Sequence, residues 1–142
     1  MLSILFFRNP LPFPYPLKRF LLKIMGAKVG KGVVIKPSVI IKYPWFLEIG
    51  DNSWIGENVW IDNLSQVKIG ANVCISQGAF LTTGNHDYTL SSFPLLLQDI
   101  TIEDGVWIGA KAVVAPGSYL SSHCVLLASS FISGKTEPYT IY

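Results

Sequence analysis

One of only two histidines, His86, stands in the polar stretch Thr82-Thr83-Gly84-Asn85-His86-Asp87-Tyr88. An imidazole, with an unperturbed pKa of about 6.5, accepts a proton near neutral pH without a metal or a covalent intermediate. His86 is therefore the candidate general base. Asp87 follows it directly, a spacing that usually turns a side chain elsewhere, so a backbone carbonyl and a carboxylate are equal candidates for orienting the ring. No nucleophile competes: Cys74 has no histidine near it in sequence, and Ser76 and Ser91 lack an elbow motif. A three-histidine zinc site cannot be built from His86 and His123 alone, so no metal is expected. The glycines do not form a phosphate-binding loop.

That stretch interrupts a ladder. Val29, Ile35 and Ile41 are six apart, as are Ile49, Ile55 and Ile61, then Ile69, Ile75 and Leu81. Ile102, Ile108, Val114, Leu120, Leu126 and Ile132 resume the count. A period of six is neither the strand's two nor the helix's 3.6. It fits short strands joined by corners, with one aliphatic rung per strand turned inward, three hexads to a circuit and five stacked circuits. The position four after each rung is often small (Val59, Ser65, Ala79 and Ala112 among others) and is expected to point inward too. Glycines after rungs, such as Gly50, Gly56 and Gly109, suit either a corner with positive φ or a close backbone approach. The spacings 41 to 49 and 61 to 69 are eight, and 81 to 102 is twenty-one. Grouped by threes, every insertion falls at one corner, and a site would be built there.

The 142 residues make one domain, with a charged fraction of 14%. Eight of the eleven Lys and Arg lie in residues 1–42, and the first acid is Glu48. The first 47 residues carry +8; the rest, with three basic and nine acidic side chains, carry −6. The basic segment lacks the stacking motifs of a nucleic-acid module. Pro10, Pro12, Pro14 and Pro16 give residues 1–16 an extended lead. Leu17, Phe20, Leu21 and Ile24 then fall at helical spacing, with Lys18, Arg19 and Lys23 between them and Gly26 closing the turn. This amphipathic helix has two readings: a cap over the open end of the scaffold, or a foot on an anionic membrane surface. Residues 2–7 are too short for a signal-peptide core, and no stretch reaches the roughly 18 apolar residues of a membrane span. Cys74 sits just before a rung and Cys124 two before one, so they should face opposite sides of the wall; a reducing, cytoplasmic location fits.

The pattern of Ile55-Gly56-Glu57-Asn58-Val59-Trp60 and Ile108-Gly109-Ala110-Lys111-Ala112-Val113 resembles the hexapeptide repeat of left-handed β-helix acyltransferases. Tyr43-Pro44-Trp45, Ile75-Ser76-Gln77, the stretch around His86 and Glu103-Asp104-Gly105-Val106-Trp107-Ile108 are similar to the sugar O-acetyltransferases of exopolysaccharide synthesis, the colanic-acid branch being nearest. Galactoside, maltose and serine acetyltransferases are more distant. The resemblance covers about residues 20–142 and supplies the left hand, which spacing does not show. It implies an all-β, left-handed parallel β-helix over 29–142, an excursion at 82–101, and a lead with capping helix over 1–28. It implies a homotrimer with active sites between prisms, and acetyl-CoA as co-substrate.

By the same resemblance, His86 is the base for direct acetyl transfer to a saccharide hydroxyl. Asp62, Asn63, Asn85 and Trp107 are placed on the acceptor side, while Ala110, Ala128 and Ser133 line the CoA site and Lys111 and Lys135 meet its phosphates. Turn chemistry is the other reading of Asp62 and Asn63, subunit packing of Trp107, and plain solvation of the lysines. A second function stays open. Leu120 and Leu126 are not followed by glycine, and the chain stops at Tyr142 where relatives continue, as in a trimeric scaffold that has lost CoA binding.

Overall fold

The computed structural model describes residues 13–142. The apolar run at residues 2–7 and most of the proline-rich lead lie outside the described residues. From Lys28 onward each hexad forms a short strand and a corner, and three strands complete a circuit. Strands one circuit apart pair in parallel, which gives three five-stranded faces. The first face contains Lys28–Val29, Leu47–Ile49, Val67–Ile69, Ile100–Ile102 and Tyr119–Leu120; the second contains Val34–Ile35, Trp54–Ile55, Cys74–Ile75, Trp107–Ile108 and Val125–Leu126. The third contains Ile40–Ile41, Trp60–Asp62, Phe80–Thr82, Val113–Val114 and Phe131–Ile132.

Register puts rung on rung. Val29 pairs with Ile49, Ile49 with Ile69, Ile69 with Ile102 and Ile102 with Leu120. Of the fifteen rungs, all are buried except Ile132, at the end of the stack, which is half-buried. The long insertion leaves this ladder intact, because Ile100 returns opposite Val67 and Ile102 opposite Ile69.

One sequence expectation needs correction, and one open alternative is decided. The second inward position is set by counting two back from a rung, and only in uninterrupted hexads does that equal four forward. At the shared corner the two extra residues separate these counts: Leu47 and Val67 are buried, while Ser65 is only half-buried. The glycines after rungs serve close approach, not positive φ. A Cβ on Gly56 would stand 2.7 Å from the Gln77 nitrogen of the next circuit. The left-handed residues come three after a rung, as at Asn52, Asn58, Asn72, Lys111 and His123, with φ between 55° and 58°.

The helix, Tyr15–Ile24, is turned from its amphipathic reading: of the four apolar positions only Leu21 packs against the core. Lys18 and Leu22 face inward and are fully buried, whereas Leu17, Phe20 and Ile24 face outward. The reason lies in what it covers. The first circuit has no circuit before it, so backbone groups on its open edge lack strand partners. The Lys18 ammonium donates to the carbonyls of Ile35 (3.0 Å) and Lys36 (3.1 Å), and the Arg19 guanidinium donates to that of Val33 (2.9 Å). Burial, and then the charge of Lys36, hold the Lys18 amine below its usual value. Satisfying three carbonyls outweighs burying another apolar stripe.

Lys18→Met keeps the aliphatic stem but strands two carbonyls. It should cost about 1–3 kcal/mol, read as a lower thermal midpoint, whereas Phe20→Ser on the outer side should move that midpoint little.

Candidate active site

The insertion at 81–102 is a β-hairpin rather than a loop. Gly84–His86 runs antiparallel to Leu95–Leu97, with Asn85 opposite Leu96 and His86 opposite Leu95. Its root is pinned to the smaller insertion one circuit below. Buried Thr83 accepts a bond from the Ser65 amide (3.0 Å) and donates to the Asp62 carbonyl (3.3 Å); Asp99 accepts from the Gln66 amide (3.0 Å). The tip is closed by Asp87, which accepts from the Thr89 hydroxyl (2.6 Å) and amide (2.9 Å). Those two bonds hold its carboxyl below the usual value.

Phe93 positions His86 twice over. Its carbonyl lies 3.0 Å from His86 Nδ1, and its ring stacks on the imidazole with centroids 4.4 Å apart and planes 8° from parallel. A carbonyl only accepts, so Nδ1 carries the proton and Nε2 presents its lone pair. The choice between carbonyl and carboxylate thus falls to the carbonyl. Phe93 precedes Pro94, which disfavours the right-handed helical region, and it takes a left-handed φ of 46°. A bulky residue held there is strained, and such strain collects at sites where geometry matters. Sequence reasoning missed Phe93. The only signal was its place before Pro94 in the same excursion.

Asn85 is exposed beside His86, and its Oδ1 accepts from the His86 amide (2.8 Å). Asp62, at the corner below, pairs with Lys42 at 3.1 Å. Asn63 must be withdrawn from the acceptor-binding set. It is fully buried, its amide donates to the Tyr43 carbonyl (2.7 Å), and its Oδ1 accepts from the Tyr43 amide (3.1 Å). Both ends of the side chain are used in holding one corner to the next.

A groove of about 420 Å³ runs along the second face, lined by Ser76, Gln77, Trp107, Ala110, Leu127 and Ala128 among others. Trp107 is 53% exposed, and its indole donates to Ser76 Oγ at 2.9 Å. A second hollow of about 370 Å³ shares Ser76 and Gln77 and continues past Cys74 and Trp54 to Lys36. The structure therefore brings Trp107, Ala110 and Ala128 together, with exposed Lys111 at the adjoining corner. Ser133 and Lys135 do not line this groove. They follow the last strand of the third face, and the Lys135 ammonium sits 5.2 Å from the centre of the Tyr119 ring. The hairpin rises between the third and first faces, so one chain does not unite His86 with the groove on its second face. Among the described residues, no three His, Cys, Asp or Glu side chains gather as a metal site would require.

No family model matches the chain. It is 41% identical over 118 residues to WcaF of Escherichia coli K12, whose name makes it a candidate colanic acid biosynthesis acetyltransferase. The match covers 83% of this chain and 65% of that protein, so the chain spans just under two thirds of this relative's length. Among solved structures, a hexapeptide-repeat acetyltransferase of Vibrio cholerae complexed with acetyl-coenzyme A superposes with a TM-score of 0.85 at 22% identity, over 99% of this chain and 75% of that one. A galactoside acetyltransferase in complex with coenzyme A gives 0.82 at 26% identity, over 93% and 68%. The left-handed parallel β-helix expected from sequence is the fold observed.

Asn63→Ala separates structural from binding roles at the corner. Loss of two buried hydrogen bonds should cost about 1–3 kcal/mol and lower the thermal midpoint. An unchanged midpoint with a raised KM for an acceptor would restore Asn63 to the binding set.

Proposed function

We propose that the chain is a hexapeptide-repeat acyltransferase, as its 41% identity to WcaF and its fold support, and that it transfers an acetyl group from acetyl-CoA to a saccharide hydroxyl in exopolysaccharide or surface-glycan synthesis. The observation that carries this reading is the bond from His86 Nδ1–H to the Phe93 carbonyl, which leaves Nε2 as the free base. Nε2 takes the proton of the acceptor hydroxyl as its oxygen attacks the thioester carbonyl. The tetrahedral intermediate then expels the thiolate, which recovers the proton from the imidazolium. The products are an acetyl ester and free CoA, with no covalent enzyme intermediate and no net change in His86.

The groove on the second face fits the thioester's long arm. Ala110 and Ala128 are small enough to let a chain lie against the backbone, and Trp107 forms a flat apolar wall with its indole fixed by Ser76. Lys111 would meet CoA phosphates at the end of that groove, and Asp62 and Asn85 would meet acceptor hydroxyls near His86. Ser133 and Lys135 would contribute only from their own corner. The relatives' solved complexes hold acetyl-coenzyme A and coenzyme A, which supports this ligand class. The scaffold alternative is less favoured. Leu127 stands where two other circuits have glycine, Gly56 and Gly109, yet it lines an open groove and does not fill it.

A trimer would complete the site. The hairpin exposes Tyr88, Leu90, Phe93, Leu95, Leu96 and Leu97, an apolar arm left largely uncovered by the described residues. Laid against the second face of a neighbour, it would carry His86 to that neighbour's Trp107, and cyclic symmetry would repeat the contact. Free thiols at Cys74 and Cys124 support a reducing cytoplasmic location.

His86→Ala should lower kcat by roughly 10²–10⁴ without unfolding the chain, as read by a free-thiol assay and circular dichroism. Wild-type turnover in this variant would sink the assignment. Calorimetry with acetyl-CoA tests the scaffold alternative, which absence of binding at millimolar ligand would favour. Light scattering should give about three times 15.7 kDa. A fully active species at the single-chain mass would contradict the shared site.

A further inference from the structure

The outward side of the helix is an apolar surface with no role in the chemistry. Phe20 is 58% exposed and Ile24 65%, and Leu17 is exposed on the same side. Beyond the helix end the surface continues. A Cβ on Gly26 would stand 3.0 Å from that of Trp45, so Trp45 lies directly against the turn that closes the helix. Trp45 is itself 56% exposed, stacks on Tyr43 with centroids 5.0 Å apart, and meets Phe46 edge-on. Two aliphatic and four aromatic side chains, Tyr43 among them half-buried, thus form one end of the prism.

Within the helix and the first circuit the charge has one sign; the nearest acids, Glu48 and Asp51, lie on the second circuit, where Asp51 accepts from the Lys31 amide at 2.7 Å. Residues 13–47 contain seven lysines and arginines and no acid. Lys18 and Arg19 are committed to backbone carbonyls, and Lys28 is paired with Glu48 at 2.9 Å. Lys23, between Phe20 and Ile24 in the last helical turn, and Lys31 on the first circuit are exposed. The twelve residues ahead add Leu2, Ile4, Leu5, Phe6 and Phe7, one more cation at Arg8, and no acid.

From this combination we infer that the helix end of the prism docks on an anionic bilayer surface. Aromatic and aliphatic side chains enter the headgroup boundary, and the lysines meet lipid phosphates and carboxylates. The helix side chains available for contact are apolar or cationic, which suits lipid headgroups better than a protein partner, whose backbone and mixed side chains ask for donors and acceptors of both kinds. The turn of the helix makes this possible: spending Lys18 and Arg19 on the prism leaves Leu17, Phe20 and Ile24 outward. The inference is independent of the acetyl-transfer reading, and no residue named for that chemistry takes part in it.

The test is flotation of the 142-residue chain with phosphatidylcholine vesicles, with and without about 30 mol% phosphatidylserine. The chain should float with the anionic vesicles and remain behind with the neutral ones. Binding should weaken about tenfold on raising salt to roughly 0.5 M. Phe20→Ser/Ile24→Ser should reduce binding at least about tenfold, and Lys23→Glu should reduce it severalfold. His86→Ala should float like the wild type, which keeps this result separate from the fate of the catalytic assignment. Absence of wild-type binding to anionic vesicles overturns the inference, as does full binding by the double variant. So does a fall in light-scattering mass for Phe20→Ser/Ile24→Ser, which would show that a second copy of the chain covers this surface.

Discussion

Everything in this molecule depends on a rung lying directly above a rung. A circuit of short strands cannot stand alone: each strand is two or three residues long and has only one or two inward aliphatic groups. Stacking supplies both missing requirements, because the next circuit pairs the backbone and the next aliphatic side chain fills the space beneath it. The constraint is tight enough to dictate apparently unrelated choices. Glycine follows a rung because the next circuit's backbone is under 3 Å from where a Cβ would be, as at Gly50 and Gly56. Asparagine recurs three residues after a rung because the corner there needs a left-handed residue and Asn tolerates it.

The same constraint explains where chemistry can be placed. An insertion is tolerated only if the chain returns in register, and the hairpin does so by bringing Ile100 back over Val67. Within the excursion, the backbone is free of the hexad rule: its strands pair antiparallel, and it holds the bulky Phe93 in a left-handed conformation. Its carbonyl and ring fix one imidazole while the root is tied to Asp62, Ser65 and Gln66. A rigid wall thus carries a locally irregular, hydrogen-bonded arm.

The ladder was legible because its period belongs to no other common structure, and Ile at 49, 55, 61, 69 and 75 leaves little room for another count. His86 was legible because the ladder stops for it. The hairpin was not, since Leu95, Leu96 and Leu97 show no alternation and all three are exposed. The facing of the helix was also hidden. Its own pattern argues for an apolar inner side, and the opposing demand comes from carbonyls at Val33, Ile35 and Lys36 that only the assembled circuit exposes. Asn63 could not be decided from sequence because the same amide suits a turn or a ligand; its bonds to Tyr43 decide it.

A stack of identical circuits has no intrinsic reason to stop, and an open strand edge on one prism is complementary to the opposite edge of another. Head-to-tail pairing of that kind is a heterologous contact that does not close, so it leads to filaments. Lys18 and Arg19 occupy the carbonyls such pairing would use. They place two cations where an incoming strand would have to lie, so this end of an otherwise open-ended design is closed to such pairing.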